Sequence, residues 1–191
     1  MLARVNFLLS LNLRHLSFRG LTRQAAYRVI AGMAGGWISD EERRILDSIE
    51  AHGWYAVHRF DPELEKPNFT YTVGFTKTLN APEFIVFGLH RDVMFDMLAG
   101  IFEQVKAGRK IGDNQVWKGL SEDFECVGRK ASHPDLFSKY ATLADWYWKR
   151  SGNQGHPAVI QLTWPGLLDG LYPWDRKCRP DVKAAQTKLW T

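Results

Sequence analysis

The chain has 191 residues, 45% hydrophobic and 24% charged, which excludes a wholly disordered or collagen-like polypeptide. No apolar run approaches the roughly 20 residues that span a bilayer. The formal charge of +4 would suit a polyanion binder, but residues 1–39 hold five arginines (Arg4, Arg14, Arg19, Arg23, Arg28) and no acid, whereas residues 40–191 hold 20 basic and 21 acidic residues.

The body is therefore nearly neutral, and no nucleic-acid partner is expected for it. Residues 1–37 read as a basic arm outside the native domain, and residues 38–191 as one globular domain. Three readings of the arm stay open: a targeting segment, a basic amphipathic arm, or an upstream extension if translation starts at Met33. Cys126 and Cys178 are too few for a disulfide scaffold and form no CxxC, which suits a reduced, cytoplasmic setting. Whether the two pair is left open.

Ser39-Asp40-Glu41-Glu42 is a capping box that opens a helix carrying Ile45, Leu46 and Ile49, and Gly53 is its stop signal. Trp54–Phe60 reads as a strand. Residues 69–76 alternate, with Phe69, Tyr71, Val73 and Phe75 on one side and Thr70, Thr72, Gly74 and Thr76 on the other. The apolar run after Pro82-Glu83 reads as a central strand over Phe84–Leu89. Val93, Met94, Met97, Leu98, Ile101, Phe102 and Val105 mark a long helix over 91–107. Two short strands follow near 114–118 and 123–129. A second long helix starts near Ser132 and carries Leu136, Phe137, Tyr140, Leu143, Ala144, Tyr147 and Trp148. Ala158–Trp164 is the last strand, and residues 180–190 suit a terminal helix. Strands come in groups, so the fold class is α+β: one domain with a curled, mainly antiparallel or mixed sheet packed by two long helices. A barrel-like closure of that sheet is an alternative.

No GxGxxG, Walker A, GxSxG, HExxH, HxH or CxxC is present, so Rossmann, P-loop, hydrolase-elbow and local metal chemistry have no support. The sequence names no cofactor. Five features remain. The face carrying Thr70, Thr72 and Gly74, next to Tyr71, would line a polar pocket or simply face solvent. Gln161, inside an apolar strand, needs amide partners. Trp164 and Trp174, with Asp175 beside the latter, would stack on a ligand or fold back as a lid. Glu83 would be catalytic, pair with Arg91 or Lys77, or act as a cap. Among the histidines His156 best suits acid/base work, His133 sits before a proline, and His52 suits a helix C-terminus. Cys126 is expected to be buried and inert.

Four stretches together resemble an uncharacterised bacterial family, domain of unknown function 4262. They are His52-Gly53-Trp54, Phe69–Phe75, Pro82–Leu89, and Gln161–Pro165 with Gly170–Trp174, and the resemblance covers about residues 38–190. It implies a domain that starts near residue 38 and a bacterial cytoplasmic protein. Phe75, Ala81 and Gly166 depart from the leucine, histidine and aspartate of that pattern, so any chemistry relying on the last two would be impaired here. The family supplies no established activity.

Two function classes follow. The first is small-molecule binding, for example of a flavin- or nucleotide-like ligand, in a pocket between the 70–76 strand and the 161–175 tail. Its candidate residues are Thr70, Tyr71, Thr72, Gly74, Glu83, His156, Gln161, Trp164, Trp174 and Asp175. A flavin-reductase-like split barrel is a fold-level analogy for it. The second is a protein-interaction module, of a stress-linked or immunity type, anchored by exposed aromatics such as Trp146, Trp148 or Trp190.

Overall fold

A computed structural model describes residues 38–60 and 67–191. The expectations for the 1–37 arm lie outside the described residues. Six short segments form strands: β1 (Tyr55–Arg59), β2 (Phe69–Val73), β3 (Glu83–Phe87), β4 (Gln115–Trp117), β5 (Cys126–Lys130) and β6 (Val159–Thr163). Their order in the sheet is β1-β2-β3-β6-β5-β4. Every neighbouring pair is antiparallel except β3 and β6, which run parallel. Strands β3 and β6 are buried along their whole length, as befits largely apolar central strands. Strands β1 and β4 are edges, so the sheet is mixed and open. The barrel alternative is not realised, because closure needs those two edges to pair.

The helices are α1 (Asp40–His52), α2 (Phe75–Thr78), α3 (Arg91–Lys106), α4 (Thr142–Arg150) and α5 (Pro180–Ala184), with a π-helical turn at Leu136–Tyr140. Strand parity divides the core into two. Phe84, Val86, Ile160 and Leu162 pack with Met94, Met97, Leu98 and Ile101 of α3. On the other face Tyr71, Val73, Ile85, Phe87 and Val159 pack with Ile45 and Ile49 of α1 and with Ala144 and Tyr147 of α4. The result is one α+β domain with helices on both faces of its sheet.

Three elements differ from the sequence reading. The alternating strand stops at Val73, because Gly74 has φ 111° and Phe75 starts a helical turn. The second long helix is broken at Ala141 into the π-helical turn and α4. The terminal helix is only five residues long. Beyond it the Gln186 side chain bonds the backbone N and O of Trp164 at 3.0 and 2.9 Å, which binds the C-terminal segment to the end of β6. Both cysteines are buried and free, and burial pushes the Cys126 thiol up to about 12.

Gly88 ends β3 with φ 73°, and a Cβ there would lie 2.2 Å from the Ala185 carbonyl oxygen. Gly88→Ala is therefore expected to destabilise the protein by about 2–3 kcal/mol through strain and overpacking. Urea unfolding with a midpoint equal to that of the wild type would contradict this.

Candidate functional site

Glu83 opens β3 and is 2% exposed. Its carboxylate gathers five donors. The Thr72 hydroxyl donates to Oε2 at 2.6 Å, and the Phe75 backbone N–H donates to the same oxygen at 3.3 Å. The Gly74 N–H, the Thr76 N–H and the Thr76 hydroxyl donate to Oε1 at 2.9, 3.2 and 3.1 Å. Thr72 Oγ1 in turn accepts the Phe84 N–H at 2.9 Å. Burial pushes the Glu83 carboxyl above the usual range, and the donors from Thr72, Thr76 and Gly74 pull it back. With every donor turned inward, Glu83 is a cap for the turn after β2. It pairs with neither Arg91 nor Lys77.

The sheet separates the other residues singled out from the sequence. Directly paired residues point to the same face. The register Thr70↔Val86↔Leu162 puts Thr70 and Thr72 on the α3 side, whereas Tyr71↔Ile85↔Gln161 puts Gln161 on the opposite side. The pocket expected between the threonine face and the 161–175 tail is therefore not assembled. Gln161 spends its amide on the Thr187 carbonyl at 2.8 Å and the Leu189 N–H at 2.9 Å. The Tyr71 hydroxyl accepts the Leu143 N–H at 3.3 Å. The Trp164 indole donates to the Phe87 carbonyl at 2.8 Å. Trp174 stacks on Tyr172 at 4.7 Å and meets Trp190 edge-on at 5.9 Å, with the Arg129 guanidinium over both indoles. Asp175 accepts the Tyr172 N–H at 2.7 Å and closes a turn. His156 lies elsewhere. Its Nδ1 is 2.6 Å from Asp145, which also takes Lys149 at 2.6 Å, and its ring stacks on Phe137 at 4.4 Å. Ala81 is buried, and a Cβ on Gly166 would sit 2.5 Å from Asp169 Oδ1.

A cleft of about 530 Å³ runs along β1. Helix α1 contributes Glu41, Ser48 and His52, which recur at the spacing of one helix face. Strand β1 and the residue before it contribute Trp54, Tyr55, Ala56 and His58; β2 contributes Thr70; α3 contributes Arg91 and Phe95, one turn apart. Two ties hold the frame. The Ser48 hydroxyl donates to the Trp54 carbonyl at 2.9 Å. Arg59 grips Glu41 through both guanidinium nitrogens at 2.7 and 3.0 Å, the fork geometry of a strong ion pair. The apolar wall is Trp54, stacked on Phe95 at 5.5 Å and on Phe102 at 5.8 Å. The polar wall is His58, whose Nδ1 is 2.9 Å from Thr70 Oγ1, together with the Arg91 guanidinium. Burial, Arg91 and Arg59 together hold His58 below its ordinary 6.5.

Of the ten residues singled out, only Thr70 lines this cleft. His58, Arg91 and Phe95 carry no motif, so pattern alone passes over them. One signal was available. Phe95 falls off the apolar stripe of its helix and is 46% exposed, which in a long amphipathic helix marks an aromatic with work outside the core.

Fold and site together define a class: an α+β domain built on an open mixed sheet, with a mixed polar and aromatic cleft at one edge. The family model described as "Domain of unknown function (DUF4262)" matches residues 48–179, more than half the chain, and the chain belongs to that family. The match takes in all six strands and stops just before α5. No curated protein and no solved structure matches. Among the described residues no helix is long and apolar enough to cross a membrane, and no group of three or more His, Cys, Asp or Glu is placed to hold a metal.

Two expectations follow. Glu83→Gln points an NH₂ group at inward-facing donors and is expected to cost about 2–4 kcal/mol; unfolding at the wild-type midpoint would show that the cap contributes little. In NMR titrations His58 is expected to protonate below 6.5 and to move toward 6.5 in Arg91→Ala. A His58 that titrates at 6.5 in the wild type contradicts the electrostatics of the cleft.

Proposed function

We propose that this domain binds a small molecule in the cleft along β1. The observation that carries the reading is convergence. An aromatic wall (Trp54, Phe95) faces a few hydrogen-bonding groups (His58, Arg91, Thr70) in one concavity of about 530 Å³, the combination that ligand sites share. The framing ion pair and the Ser48 tie hold it ready formed, which lowers the entropy lost on binding.

A protein-interaction role has one observation in its favour, away from the aromatics first singled out. Leu167 and Leu168 are exposed beside a groove lined by Trp164, Val182 and Ala185. Trp190, by contrast, is buried. The cleft is favoured because its polar groups converge, whereas the groove is lined mostly by apolar side chains.

Thermal-shift measurements with a metabolite panel test the proposal. A ligand is expected to raise the melting temperature by several degrees, and Phe95→Ala, a substitution at an exposed position, is expected to abolish most of that shift. A shift that survives in Phe95→Ala places the ligand elsewhere, and a panel of all charge types with no hit counts against a small-molecule role.

A further inference from the structure

The cleft reading can be taken to a ligand class by asking which groups in it still lack partners. Glu41 is already neutralised by the Arg59 fork. Arg91 is different: no hydrogen bond or ion pair to a described residue uses its guanidinium. It is the one charged side chain of the lining without such a partner. An unpaired guanidinium beside aromatic rings is suited to a planar oxyanion, which it binds in fork geometry.

The state of His58 follows from Thr70. That threonine is 1% exposed, so its hydroxyl proton needs an acceptor. Its one described hydrogen-bond partner is His58 Nδ1, at 2.9 Å. In the neutral imidazole the Thr70 hydroxyl therefore donates to Nδ1, and the ring carries its own proton on Nε2. No described residue accepts from Nε2. The cleft thus includes Arg91 and His58 Nε2–H among its donors, and its one carboxylate is already taken. The same wall carries the Trp54–Phe95 stack, a surface for a flat ring.

The geometry points to an aromatic oxyanion as the ligand of this cleft, its ring on the Trp54–Phe95 wall and its anionic group on Arg91 and His58, with Thr70 as the positioning residue for His58. This rests on the small-molecule reading above and names its ligand class. A pH dependence follows. The charged and titratable groups facing His58 are Arg91, His90 and Asp92 from α3, Arg59 from β1, and Glu41 and His52 from α1. In the free protein burial and the neighbouring arginines disfavour the His58 imidazolium. A bound anion offsets the arginines and favours the imidazolium, so binding tightens as the pH falls.

NMR titration of the full chain with a matched set of probes tests this, following the Trp54 indole and His58 ring signals. The set is benzenesulfonate, whose charge is fixed over the range, methanesulfonate, benzyl alcohol and benzyltrimethylammonium. Benzenesulfonate is expected to bind at least tenfold more tightly than each of the other three, to raise the pKa of His58, and to bind more tightly at pH 5.5 than at 7.5. Arg91→Ala, at an exposed position, is expected to weaken it tenfold or more. Thr70→Val, which removes the donor to Nδ1, is expected to raise the pKa of His58 in the free protein, so that the imidazolium forms at higher pH than in the wild type. Equal binding of benzyl alcohol or the ammonium probe overturns the oxyanion assignment while leaving the cleft a binding site. Equal binding of methanesulfonate overturns the aromatic half. No response of the Trp54 and His58 signals to any probe overturns the cleft reading itself. Should Thr70→Val fail to fold, the wild-type pH series alone decides the His58 part: a flat profile overturns it.

Discussion

The buried carboxylate of Glu83 is the constraint from which the rest of this domain is set. It begins β3, yet its partners lie at the end of β2 and in the turn beyond, so one side chain ties two neighbouring strands and dictates where the first must stop. Gly74 takes φ 111° because that conformation turns its N–H and those of Phe75 and Thr76 onto the carboxylate. The effect continues along the chain. The turn becomes α2, and the Thr78 hydroxyl at its end donates to the Gly53 carbonyl at 2.6 Å. A Cβ on Gly74 would also lie 3.1 Å from that oxygen. Gly53 is the corner between α1 and β1, directly before Trp54. Glu83 thus fixes the corner from which the cleft starts. A buried carboxylate of this kind is costly unless satisfied, and five donors are what make it tolerable.

The sheet then decides which side chains can meet. Because side chains alternate, Thr70 and Gln161 sit on opposite faces although both are fully or almost fully buried. Each face has its own helices, and the C-terminal segment closes over one of them by satisfying Gln161 and Trp164. That segment explains why Gln161, which looks ligand-directed in sequence, is structural: its amide ends on the backbone of Thr187 and Leu189. The Asp145–His156–Lys149 group is likewise a clasp, fastening the loop after α4 to that helix.

The cleft escapes this bookkeeping because it lies over an edge strand. Among the described residues no further strand covers β1, and residues of α1 and α3 line the cleft there. Groups that would be satisfied in the interior stay available there. Glu41 and Arg59 neutralise each other, whereas Arg91 and His58 Nε2 have no hydrogen-bond partner among the described residues. The electrostatic character of the site is therefore set by which ion pair forms, and this differs from the overall charge of the chain. The net +4 arises from residues 1–39, which hold five arginines and no acid.

Much of the fold is legible in the sequence. The capping box at Ser39 and the stop at Gly53 mark α1, the apolar stripe marks α3, and continuous apolar runs mark β3 and β6, because these signals are local and periodic. The family motifs are legible for the same reason, and they coincide with strands and with the Glu83 turn. Where the strand at 69 ends is decided by Glu83, which arrives 10 residues after Val73, so no local pattern contains it. The broken helix at Ala141 keeps helical spacing on both sides and hides its π-helical turn. The candidate site was the least legible part. Sequence alternation correctly grouped Thr70 with Thr72, but strand order and register decide which face Gln161 shares, and only pairing between distant segments supplies these. His58, Arg91 and Phe95 become neighbours because α1, β1 and α3 meet at one sheet edge. By itself the sequence determined the elements and the two apolar faces. The tertiary structure alone decided which polar groups would be consumed by the backbone and which would stay unpartnered at the sheet edge, because both depend on pairing between distant segments.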